Sequence, residues 1–217
     1  MTGTLLVKFD FIRGKTNNMS ETFFGAVRER RSIYGLAKVS TISNEQIQEI
    51  ITQAILHTPS AFNSQSTRIV LLLGEQHDKL WSITQDVLKS VVPADQFAST
   101  AQKMDGFRSA YGTVLFFEDE STIEGLQQSF PLYQDKFPEW SQHTNAMHQF
   151  VIWTAFAQNG LGANLQHYNP LIDQRVRSEW KLPETWQLIA QMPFGKPTAP
   201  AGEKQSQPIE ERFKVYK

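Results

Sequence analysis

The sequence predicts an α+β fold. Segments with helical periodicity are mixed irregularly with short apolar runs of strand length. The regular βαβ cadence is missing, and no Gly-rich turn opens a first βα unit. Both observations argue against a doubly wound dinucleotide fold.

Taken in order, Ser20 suits the N-cap of a helix over roughly 21 to 30, with Phe23, Phe24 and Val27 as its apolar face. Ser43 starts a second helix, and Gln46 at its third position completes a capping box. Ile47, Ile50, Ile51, Ala54 and Ile55 follow helical spacing until Pro59. Ile69 to Leu73 reads as a buried strand stopped by Gly74. Leu80, Trp81, Ile83, Val87 and Leu88 mark the next helix, with a short one expected after Pro93. Thr113 to Phe117 is a second buried strand, and Ser121 suits the cap of a helix over Thr122 to Gln128.

The longest helix is expected from Glu139 to Gln158, with Met147, Phe150, Val151, Thr154 and Ala155 as its inner stripe and Asn159-Gly160 as its stop. Leu161 to Gln166 reads as a short strand or extended turn, and Leu171 to Trp180 as a helix. In a strand over Trp186 to Met192, Trp186, Leu188 and Ala190 alternate with Gln187, Ile189 and Gln191. Thr198 to Gln207 lacks periodicity and reads as a loop. The chain closes on a short strand pattern, Phe213, Val215 and Tyr216 flanked by Arg212, Lys214 and Lys217.

The length of 217 residues fits one domain. The expected division is an extension over residues 1–18 and a single domain over 19–217, since Met19-Ser20 resembles a second start. A net charge of -1 gives no field that would draw the protein to nucleic acid or anionic lipid. No apolar run reaches the length of a membrane span. The absence of cysteine rules out disulfides, thiolate catalysis and Cys-based metal sites, and a cytoplasmic location is the default expectation. His143 and His148 stand five apart, wrong for one helical face, so no metal site is expected. His57 and His77 read as surface or boundary residues, and no Ser-His-Asp set stands out.

Four stretches carry candidate chemistry. Arg30, Arg31 and Ser32 place two guanidinium groups and a hydroxyl at a helix end, which suits a phosphate and equally suits a solvated helix terminus. Asn63 and Gln65, in the loop Pro59 to Gln65, carry amides able to read a heterocycle edge or to satisfy their own loop. The run Asn159 to Pro170 has small residues for close backbone approach, followed by Leu165, Gln166, His167 and Tyr168, although a helix cap with a tight turn explains it as well. Arg212 and Lys214 share one face of the last strand pattern, either toward a phosphate or as guards of an edge.

In their order and spacing these stretches resemble the FMN-dependent nitroreductase family, from about Glu21 to Lys217. The phrases Arg31-Ser32-Ile33-Tyr34, Thr58 to Gln65 and Gly162 to Asn169 are similar to the branch around the yeast fatty-acid-repression mutant protein. The resemblance implies a mainly antiparallel central sheet flanked by helices, in an intertwined homodimer with FMN at the subunit interface. It places Arg30, Arg31, Ser32, Arg212 and Lys214 at the phosphate and ribityl chain, and Asn63 and Gln65 at the ring or ribityl oxygens. Leu165, Gln166, His167 and Tyr168 line the ring, with a backbone N–H of His167 or Tyr168 facing N5.

The resemblance also implies NAD(P)H as electron donor and nitroaromatic or quinone-type acceptors, exchanged by a ping-pong mechanism in one pocket. The chain departs from many relatives in having Leu165-Gln166-His167-Tyr168 where they carry Pro, small residues and Gly. A flavin-binding regulatory or redox-sensing protein of low turnover is the alternative, and a flavin-free interaction domain a third reading.

Overall fold

The computed structural model describes residues 18–217. The expected extension over residues 1–18 lies outside them, apart from Asn18. The chain runs through α1 (Asn18–Glu29), β1 (Leu36–Ala37), α2 (Asn44–His57), β2 (Thr67–Leu73), α3 (Glu75–Val91) and α4 (Phe97–Arg108). It continues through β3 (Gly112–Asp119), α5 (Glu120–Ser129), α6 (Phe137–Gln158), β4 (Gly162–Ala163), α7 (Asp173–Trp180), β5 (Trp186–Pro197) and α8 (Ile209–Arg212).

The sheet is antiparallel, in the order β1-β5-β3-β2, with β4 also on β5. It is flanked by helices on both faces, so the predicted α+β fold with a mainly antiparallel sheet is the fold observed. All eight residues of β3 are buried, because a central strand covered on both faces has no solvent side. Val114 and Phe116 face α2 and α6, packing with Ile47, Ile51, Ile152 and Phe156. Leu115 and Phe117 face α3 and α4, packing with Leu80, Trp81, Met104 and Phe107. This is the two-residue period of a strand, with a core on each side.

Local signals were accurate where the chemistry is local. Ser43 caps α2 by accepting from the Gln46 N–H at 3.3 Å while the Gln46 side chain accepts from the Ser43 N–H at 3.0 Å. Other expectations need correction. α5 is capped by Asp119, which accepts from the Ser121 N–H at 3.2 Å, not by Ser121 itself. α4 is a full 12 residues. On β5 the expected alternation breaks. Phe116 pairs with Ala190 and Phe117 with Leu188, so Ile189 is an extra residue. That bulge turns Leu188 toward α3 and α4 while Ala190 and Met192 face α6.

Three further corrections bear on the site. The expected inner stripe of α6 is partly outward: Met147, Phe150 and Val151 are 39–40% exposed. The buried face instead carries Thr144, Asn145, His148 and Gln149 with Ile152 and Phe156. The closing strand is absent: Ile209–Arg212 form one helical turn, and 213–217 pair with no strand. Alternation makes a strand only where an edge receives it, and among the described residues none does. His77 is fully buried, not at the surface. Its Nδ1 lies 2.8 Å from Thr113 Oγ1 and its Nε2 3.2 Å from the Arg108 carbonyl.

Candidate functional site

The Arg30 corner is built where α1 ends. Arg30 still donates its N–H to the Ala26 carbonyl at 3.1 Å, and the chain then turns away. The Arg30 guanidinium stands over the Trp153 ring of α6, 4.4 Å from its centre. Its Nε is buried without a hydrogen-bond partner. Burial, and then the neighbouring Arg31 charge, pull the Arg30 pKa below the usual arginine value, although an arginine stays cationic at working pH. Arg31 points elsewhere, donating through Nη2 to the Gly202 carbonyl at 2.7 Å.

Ser32 bridges to Ala163, and Ile33 donates its N–H to the Ala163 carbonyl at 2.9 Å. Asn164 returns a side-chain bond to the Ile33 carbonyl at 2.8 Å. Gly162 permits this approach: a Cβ there would sit 2.9 Å from Ile33 Cβ and 3.0 Å from Pro197 Cγ. The first and third predicted stretches therefore meet.

The segment from Asn164 to Tyr168 is extended along β5. Asn164 donates its N–H to Pro193 at 3.3 Å, Gln166 to Gln191 at 2.7 Å, and Tyr168 to the Gln191 side-chain oxygen at 2.8 Å. N–H groups alternate sides along an extended chain, so the even residues face β5. Those of Leu165 and His167 bond to nothing among the described residues. The Tyr168 ring packs edge-on to Trp81 and Phe107, and burial pushes its phenol up to about 12. His167 is exposed, Leu165 half-buried and Gln166 buried, with the Gln166 amide donating to Asn164 Oδ1 at 2.7 Å.

The loop after α2 is strained. Phe62, Asn63 and Gln65 have φ of 56°, 51° and 49°, in the left-handed region, at a cost on the order of 1 kcal/mol each. The Phe62 ring is held among Phe130, Phe137, Tyr133 and Trp140, with centroids 4.8 to 6.0 Å away. Ser60 Oγ accepts from the Gln65 N–H at 3.1 Å, and Arg68 Nη1 donates to the Gln65 carbonyl at 2.6 Å. Beneath the loop lies Glu118, fully buried and unexpected from the sequence. It accepts from Ser66 Oγ at 2.5 Å, Thr67 Oγ1 at 2.6 Å and Asn145 Nδ2 at 2.9 Å. Three donors let one carboxylate stay in the core. The side chains of Asn63 and Gln65 are left at the surface.

The predicted residues do not all converge within one chain. Phe62 packs on Trp140 near the start of α6, whereas Arg30 packs on Trp153. From residue 140 to residue 153 a helix rises roughly 20 Å. Asn63 and Gln65 therefore stand toward one end of α6, and Arg30, Arg31, Ser32 and Leu165 toward the other. Arg212 and Lys214 are exposed and make no hydrogen bond or ion pair among the described residues. Besides the outward stripe of α6, the two helices that pack on α6 carry exposed apolar residues, Phe23 and Phe24 on α1 and Ile55 and Leu56 on α2, each at least 46% exposed. Trp153 and Gln191 escaped the sequence reading, because the contacts that define them are long-range.

The corner where Ser32 and Ile33 meet Ala163 belongs to a fold with close relatives. The family profile described as Nitroreductase family matches residues 27–196. Two relatives from Saccharomyces cerevisiae align over 185 residues, 84% of this chain. HBN1 is 38% identical with 92% of its length covered, and nitroreductase FRM2 is 35% identical with 91% covered. The solved nitroreductase CinD from Lactococcus lactis, in complex with chloramphenicol, is 45% identical with a TM-score of 0.83. That match covers 90% of this chain and all of CinD. With a family match across most of its length and relatives of this identity, the chain belongs to the nitroreductase family.

Proposed function

We propose that the protein is an FMN-dependent oxidoreductase that uses NAD(P)H to reduce nitroaromatic or quinone-type acceptors, working as a homodimer in the cytoplasm. Residues 19–217 act as one domain in this reading, with 1–18 as an extension.

The observation that carries it is the corner just described. The Ser32–Ala163 bridge joins the segment that follows Arg30, a desolvated cation, to the one whose Leu165 and His167 N–H groups are unpaired among the described residues. Those groups fit an anionic cofactor with a flat heterocycle. Arg30 and Ser32 would hold the phosphate, joined by Arg212 and Lys214 from the C-terminal segment that Arg31, expected at the phosphate itself, instead ties through Gly202. Leu165, Gln166 and His167 would lie along the ring. The Tyr168 N–H is already given to Gln191, so of the two candidates His167 would be the donor toward N5 in this reading. Bound there, FMN would supply the hydride and electron chemistry of a ping-pong exchange between NAD(P)H and the acceptor. Positive charge and fixed N–H donors on this side favour an electron-rich ring.

The roughly 20 Å along α6 between Trp140 and Trp153 motivates the dimer. A second copy packed in reverse along the exposed α6 stripe would bring its Asn63 and Gln65 to the Arg30 end and cover the apolar surface of α1 and α2. For substrates, CinD has been solved with chloramphenicol, 4-nitrophenol and nicotinic acid. The first two carry an aromatic nitro group, consistent with a nitroaromatic acceptor here.

The test is spectroscopic. Yellow protein should bleach anaerobically on addition of NADH or NADPH and recover its colour when 4-nitrophenol is added. Yellow protein that neither nucleotide bleaches would favour the low-turnover sensor instead.

A further inference from the structure

The Arg30–Trp153 stack lies outside anything the motifs indicated. We propose that Trp153 is the positioning residue for the Arg30 guanidinium, and that this stack makes the site discriminate a phosphorylated flavin from its dephosphorylated form. The inference rests on the flavin reading above.

Three observations support it. First, the cation stands 4.4 Å from the centre of the Trp153 ring, and an indole face is the most favourable aromatic platform for a guanidinium. Second, neither side chain is otherwise tied. Arg30 Nε and Trp153 Nε1 are both buried and both lack a hydrogen-bond partner. Among the described residues no hydrogen bond or ion pair holds the guanidinium, so the ring face is its defined contact there and its N–H donors are left for a ligand. Third, the neighbouring arginine is spent differently, since Arg31 Nη2 holds the Gly202 carbonyl. Of Arg30 and Arg31, the two arginines that follow α1, Arg31 is latched to the C-terminal segment and Arg30 is aimed by an aromatic ring.

A guanidinium already oriented loses little rotamer freedom on meeting a phosphomonoester, whereas a free arginine side chain must be ordered at that moment. Trp153, on α6, also packs against the core cluster that includes Ile47, Ile51 and Ala54 of α2. The effect is confined to the phosphate end. Riboflavin, which lacks the phosphate, gains nothing from the arrangement.

The experiment is a fluorescence titration of flavin-stripped protein with FMN and with riboflavin, for wild type, Trp153→Leu and Trp153→Phe. The expected result is a roughly tenfold rise in the Kd for FMN in Trp153→Leu, with the Kd for riboflavin unchanged within about twofold. Trp153→Phe, which keeps an aromatic face, should recover most of the FMN preference. A residue that merely packs α1 on α6 would lower thermal stability without moving the ratio of the two constants. An unchanged ratio in Trp153→Leu beside a wild type that prefers FMN overturns the Trp153 inference and leaves the flavin reading intact. Wild-type protein that binds neither flavin overturns both. If Trp153→Leu does not fold, Arg30→Lys replaces it: the ammonium keeps the charge without the planar stack, and an undiminished FMN preference there contradicts the inference.

Discussion

Tyr168 donates its backbone N–H to the Gln191 side-chain oxygen at 2.8 Å, inside a strand where Gln191 is fully buried. Gln191 also exchanges both backbone bonds with Gln166, at 2.7 and 2.9 Å, and reaches Asn169 Oδ1 at 3.3 Å. One buried amide thus sets the path of residues 166–169 and leaves the His167 N–H on the open side. Gln191→Leu keeps the volume and strands the Tyr168 N–H, which should cost about 1–3 kcal/mol. Urea unfolding checks this, and a midpoint equal to that of wild type would mean that the amide is not a structural clamp.

His77 gives a pH dependence whose sign is fixed. Burial pulls its pKa from 6.5 down to about 4, against the opposing effect of the Arg108 carbonyl. The unfolded chain takes up a proton near 6.5 and the folded chain resists it until about 4. The contribution to stability is therefore complete above pH 6.5 and is lost as pH falls through 4, amounting to at most about 3 kcal/mol. Burial lowers His148 as well, so it acts in the same direction. Unfolding free energies at pH 7 and 4.5 should fall less in His77→Gln than in wild type; equal losses would contradict the assignment.

How much of this was legible is clearest at α6. Its termini and length were read nearly correctly, because Asn159-Gly160 is a local stop signal. Its inner face was misread, because hydrophobic periodicity selects the apolar stripe, and Met147, Phe150 and Val151 are that stripe. The face that meets the sheet is polar. Asn145 reaches Glu118 and Gln149 reaches Asn145, and satisfied polar groups leave no trace in a hydrophobic pattern. His77 could have been found. It lies at helical spacing with Leu80, Trp81, Thr84 and Leu88, all buried. The C-terminal alternation over 212–216 could not have been placed, since the receiving edge is not encoded in those residues. Of the site, the Arg30–Ser32 and Gly162–Leu165 stretches were recognisable by residue type, but their contact spans most of the chain.

Asn63 separates backbone strain from ligand contact. Its φ of 51° is tolerated by Asn, is costless for Gly and penalises Ala by about 1 kcal/mol. Asn63→Ala should lose both thermal stability and flavin retention, and Asn63→Gly should lose flavin retention alone. If Asn63→Gly holds flavin as wild type does through dialysis, the amide is not a ligand contact.

Arg31 is the fastener of the C-terminal segment through Gly202. In Arg31→Ala the peptide bonds after 202 should be cut faster in limited proteolysis, because the segment that carries Arg212 and Lys214 loses its tie. Cleavage at the wild-type rate would show that this bond does not restrain the segment.

Native mass spectrometry of the protein as purified examines dimer and cofactor together. Two chains carrying two FMN molecules, with the flavin lost when the dimer is dissociated, is the result expected from walls set at opposite ends of α6. A flavin-retaining monomer, or a dimer that takes up no FMN when it is supplied, would contradict a site shared between subunits.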